Sequence, residues 1–128
     1  MRITLDRPGS ANSISAYRPG VVTIAGVEYC RSLLVSPDRL VPDWPVASAA
    51  GLDQERLGEA LALEPEILLL GTGRRLRFPE PALYATVAGS GIGFEVMDTA
   101  AACRTFNILL SEDRQVVAAL VLDEPPPD

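Results

Sequence analysis

The chain has 128 residues, 48% of them apolar, and a formal charge of −6, a size at which one domain buries a core without metal or disulfide support. It contains no histidine and its 11 basic residues are all arginine, which excludes histidine-dependent triads, lysine Schiff bases, the Walker lysine and histidine zinc ligands. The acidity opposes a nucleic-acid partner, since phosphate-dominated affinity needs a basic footprint. Cys30 and Cys103 have no CxxC spacing and are expected as reduced, buried thiols; no metal or cofactor is expected. The longest apolar run, "VVAALVL" at 116–122, is far short of the roughly 20 residues that span a bilayer. With no secretory signal apparent in "MRITLDRPGS", no membrane insertion and a cytoplasmic location are expected.

In chain order, "SISAY" (13–17), "VVTI" (21–24) and "VEYCRSLLVS" (27–36) read as strands around a hairpin turn at Ala25-Gly26. "PDRLVPDWPV" (37–46) carries three prolines and reads as a loop or irregular edge. "LDQERLGEALAL" is a helix capped by Asp53 and stopped by Pro65, and "EILLL" (66–70) is an apolar run that fits a strand covered on both faces. A helix over 80–88, a strand at 92–97, a helix over 98–114 capped by Asp98 or Thr99, and a strand at 115–122 follow. This alternation is the pattern of an α/β layer with parallel neighbours. The boundaries are thus a single α/β domain over 1–122 and a disordered acidic, proline-rich tail over 123–128.

The candidate site lies in "GTGRRLRFP". GxGxxG fails because Leu76 occupies the third glycine position and no helix starts after Gly73. Parallel strands at 66–70 and 92–97 would nevertheless bring Gly71, Thr72, Gly73 and Arg74 towards Asp98 and Thr99 on the sheet edge where such folds place ligands. Thr72 and Arg74 are expected on the surface of that loop. Arg104 and Asn107, three residues apart on the long helix, complete the candidate ligand-binding set; structural roles are the plain alternative, with Arg104 paired to a carboxylate and Asn107 satisfying backbone of an adjacent loop. No catalytic residue is assigned. Trp44, between prolines, either lids the core or anchors a partner.

The succession of "GVEYCRSLLVSP", "GTGRRLRFP" and "GIGFEVMDTAAACRTFNILLSEDRQVVAAL" resembles a small domain family of largely unknown biochemistry, whose eukaryotic members include mitochondrial complex I assembly factor 3 and an adipogenesis-associated protein. The resemblance covers residues 10–122 and is most specific from Met97 and Asp98 through Arg104, Thr105, Asn107 and Leu109 to Glu112 and Arg114; Phe106 stands where the family commonly has tyrosine. It implies a three-layer fold with a central mixed sheet, helices packed on it and an extra N-terminal β element. It implies no established catalysis; the role of the assembly factor is to bind partner subunits. A non-enzymatic interaction or assembly-factor-like domain with an unknown protein partner is therefore expected. The alternative is a small-anion-binding protein or uncharacterised enzyme using the crevice between the 71–77 loop and the helix starting near Asp98. The 27–36 strand would leave an unpaired edge, to be covered either by the 37–46 stretch of the same chain or by a second copy; that edge and Trp44 together give the expectation of a homodimer.

Overall fold

In a computed structural model, which describes residues 12–123, those residues form eight strands and three α-helices, with five strands preceding the first α-helix. The N-terminal half contains β1 (Ile14–Arg18), β2 (Val21–Ile24), β3 (Val27–Tyr29), β4 (Leu33–Val35), β5 (Leu40–Val41) and α1 (Gln54–Leu61). The C-terminal half contains β6 (Ile67–Gly71), α2 (Pro81–Ala88), β7 (Gly93–Met97), α3 (Thr99–Ser111) and β8 (Val116–Leu120).

β1, β2 and β3 form a small antiparallel sheet. Ala25 (φ 50°) and Gly26 (φ 82°) both take left-handed backbone at its β2–β3 turn, the conformation that matches a two-residue connection to strand twist. The other strands form a five-stranded sheet in the order β5-β4-β8-β6-β7. β6 runs parallel to both β7 and β8, whereas β4 is antiparallel to β8, so the sheet is mixed.

The central strands are buried on both faces, and alternate residues serve different cores. Leu33, Leu69, Ala118 and Leu120 join Phe106 and Leu110 of α3 and Val22 and Ile24 of the small sheet. Leu34, Leu68, Leu70 and Val117 face the other way, onto Leu57 of α1, Leu83 and Val87 of α2, and Trp44. The fold is therefore three-layered: two helices, the mixed sheet, then α3 beside the small sheet. The continuous apolar runs at 67–71 and 116–120 follow from that double coverage.

Two expectations for the N-terminal half are corrected. The segment 27–36 is not one strand: it breaks at Cys30–Ser32, where the chain leaves the small sheet and enters the central one as β4. β4 is paired on both sides, so the long free edge does not form. What remains is β3, three residues long. Cys30, in the link, is exposed rather than buried. The link is fixed by Ser32, whose hydroxyl donates to Val46 O at 2.6 Å and accepts from Leu122 N at 2.9 Å.

The proline-rich stretch forms β5 and then an irregular cover. Trp44 is 2% exposed, and its indole Nε1 donates to Arg56 O at 3.2 Å. The lid reading describes this placement; the side chain is not presented to solvent as an anchor. The expected tail lies outside the described residues except for Asp123.

Candidate functional site

β6 and β7 are adjacent and parallel, with Gly71 opposite Met97, but their connections diverge. The chain after β6 runs to α2 on one face, and the chain after β7 enters α3 on the other. In open α/β sheets such divergence leaves a ligand crevice at the C-terminal strand ends. Here the protein itself fills it. Thr99 is fully buried, and its hydroxyl accepts from Gly73 N at 2.8 Å while donating to Val121 O at 2.7 Å. Thr99 N returns a bond to Gly73 O at 2.9 Å, and Thr72 N extends the ladder to Met97 O at 2.9 Å.

The glycines have steric reasons. A Cβ on Gly71 would lie 2.9 Å from Thr99 Cα, closer than packed atoms sustain. Gly73 has φ +103°, and a Cβ there would run into the Asp123 carboxylate. Asp98 caps α3 by accepting from Ala101 N at 2.8 Å, so its carboxylate takes one of the amides that an anion would need.

The expectation that Thr72 lies on the surface is also corrected. Thr72 is fully buried, and its hydroxyl donates to Arg75 O at 2.7 Å and accepts from Arg77 N at 3.0 Å. These bonds close the loop on itself. Arg74 is exposed as expected. Its amide donates to Asp123 Oδ1 at 3.1 Å, and Arg74, Arg75, Arg77 and Asp123 surround a depression of about 250 Å³.

Gly71, Thr72, Gly73, Arg74, Asp98 and Thr99 are thus brought together, but Arg104 and Asn107 are not part of that group. They line a separate cleft of about 260 Å³ between α3 and β1. Arg104 is exposed and makes no ion pair among the described residues. Asn107 accepts from Ile14 N at 2.8 Å and donates to Ile14 O at 2.7 Å, so one amide side chain holds the start of β1 as a neighbouring strand would. Asn107→Leu is expected to cost about 1–3 kcal/mol by leaving both groups of Ile14 without their partner. Urea denaturation checks this; a variant as stable as the parent would show that water replaces the amide.

Cys103 lines the same cleft, and burial pushes its thiol up to about 12, an effect that Arg104 opposes and Asp98 reinforces. The thiolate is the reactive form, so a native sample at pH 8 is expected to give a fast thiol titration from Cys30 alone, with the second equivalent appearing only on denaturation. Two fast equivalents would contradict the burial of Cys103. Because the folded thiol lies above its ordinary value, this group's contribution to stability is present at neutral pH and is lost as pH rises through the alkaline range.

A depression of about 540 Å³ lies between the Cys30–Ser32 link and the 43–47 segment, and Leu122 and Asp123 border it. Asp123 thus joins it to the arginine loop. Neither Ser32 nor Asp123 was singled out by the sequence reading, since each acts on residues distant in the chain. Among the described residues, no cluster of three or more His, Cys, Asp or Glu side chains is placed to hold a metal ion. No helix among them is long and apolar enough to cross a membrane.

Fold and site together define a small three-layer α/β domain whose C-terminal sheet edge is sealed by threonine hydroxyls and carries an exposed arginine loop. The chain belongs to the family described as "Protein of unknown function (DUF498/DUF598)", which matches residues 14–121. It is 37% identical over 116 residues to the NADH dehydrogenase [ubiquinone] 1 alpha subcomplex assembly factor 3 of Danio rerio, covering 89% of this chain and 64% of that protein. Against the same assembly factor of Xenopus tropicalis the chain spans about half the relative's length, 51%. A solution structure of a Bordetella pertussis Mth938-like domain superposes with a TM-score of 0.81 at 31% identity, over 98% of this chain and 94% of that one.

Proposed function

We propose that this chain is a non-enzymatic protein-interaction domain that works as an assembly factor does, by holding a partner protein rather than by transforming a substrate. The observation that carries this reading is the 37% identity, across 89% of the chain, to a protein named as an assembly factor of NADH dehydrogenase. The geometry supports it. The crevice that would serve a small ligand is filled by Thr99 and by the close approach of Gly71, and the Asp123 carboxylate already takes the Arg74 amide. Burial keeps the Cys103 thiol above its ordinary pKa despite the neighbouring Arg104, which disfavours the nucleophilic thiolate.

Affinity capture from extract of the chain's own cells, followed by mass spectrometry, tests the proposal. Stoichiometric retention of one protein or of the subunits of one complex is expected. Recovery of the chain with a bound metabolite and no protein would overturn the reading in favour of an anion-binding protein.

A further inference from the structure

The segment 74–78 is exposed throughout, between Gly73 and Pro79, which are both buried. Within it Leu76 is 50% and Phe78 71% exposed, and they alternate with Arg75 and Arg77. The segment is not slack: Thr72 fixes the main chain at Arg75 and Arg77, and Asp123 fixes it at Arg74. Elsewhere Arg18, Arg31, Arg56 and Arg114 each pair with a carboxylate. Arg75 and Arg77 make no ion pair among the described residues, although the chain carries 17 acidic residues. A rigid loop that shows aromatic, aliphatic and guanidinium groups together has the make-up of an interface centre, and its fixed backbone lowers the ordering cost of binding.

From this we infer that residues 74–78 are the docking surface for an acidic segment of a partner protein, with Arg75 and Arg77 pairing its carboxylates and Leu76 and Phe78 covering an apolar side chain. The inference rests on the protein-binding reading above. Charge selects the occupant. A second copy in a symmetric contact centred on this loop would set these arginines against the same arginines. Surface binding to an anionic bilayer takes about four to eight clustered cations, and this segment carries three arginines. A carboxylate-bearing peptide meets neither obstacle, and it matches the planar fork of arginine.

The test places a photo-reactive phenylalanine analogue at Phe78 of the full chain, and separately at Ile108, an exposed position on α3. Each form is irradiated in extract of the chain's own cells, and adducts are identified by peptide mass spectrometry. Position 78 is expected to label one partner protein within a segment rich in Asp and Glu. The yield should fall about tenfold or more in Arg75→Glu/Arg77→Glu and survive in large part in Arg75→Lys/Arg77→Lys. Adducts to lipid, to a second copy or to the chain itself would overturn the inference, as would a segment without excess carboxylates or a yield indifferent to charge reversal. Labelling of a partner from position 108 but not from 78 would overturn this surface and leave the protein-binding reading standing. Absence of any protein in affinity capture would remove that reading as well.

Discussion

Thr99→Val is expected to destabilise the fold by about 1–3 kcal/mol for each of two buried groups left without a partner. The change keeps the side-chain shape and removes only hydrogen-bonding capacity. Gly73 N loses its acceptor and Val121 O loses its donor, both now bonded to the Thr99 hydroxyl at 2.8 and 2.7 Å. These bonds tie the end of β6, the start of α3 and the exit of β8, so the loss should spread through the sheet edge. Thr99→Ser keeps the hydroxyl and should retain most of the stability. Urea denaturation of the two variants decides the matter: equal midpoints would show that the methyl group, and not the hydroxyl, is what this position needs.

Trp44→Ala is expected to cost about 3–5 kcal/mol, the range for truncating a large buried aromatic. The indole lies among Leu34, Leu57 and Ala60 and joins the irregular 43–47 segment to the sheet and α1. Truncation leaves a cavity between them and frees Arg56 O from the indole donor. Trp44→Phe should lie between parent and Ala, since it restores packing but not the hydrogen bond. Thermal melting with light scattering separates core from interface: an unchanged midpoint with an altered molar mass would assign Trp44 to association between chains.

The sheet was legible because double coverage writes itself into sequence. "ILLL" at 67–70 and "VVAALVL" are continuous apolar runs, and the helical spacing of Ala102, Cys103, Phe106 and Leu110 gives the face of α3 that packs on them. The break at Cys30–Ser32 was not legible, since cysteine, arginine and serine interrupt no strand pattern by themselves. What ends the strand is Ser32, bound to Leu122, 90 residues away. The candidate site divides in the same manner. The parallel pairing that brings Gly71 to Asp98 follows from element order, and the exposure of Arg74 follows from a charged loop. The burial of Thr72 and Thr99 depends on partners such as Gly73, 26 residues from Thr99, and a hydroxyl carries no local mark of being inside. The composition of "DEPPPD" predicts a disordered tail from Asp123 onwards, yet Asp123 bonds Arg74, 49 residues earlier. Asn107 was readable as a helix amide serving backbone of an adjacent loop; that its partner is instead Ile14, at the start of strand β1, required the fold.

Native mass spectrometry of the chain purified from its own cells is the most direct test of whether the domain acts by holding protein. The account predicts a complex whose mass is that of the chain plus at least one intact protein subunit, dissociated by salt and by Arg75→Glu/Arg77→Glu. A chain carrying only a small-molecule adduct, unaffected by those substitutions, would contradict it.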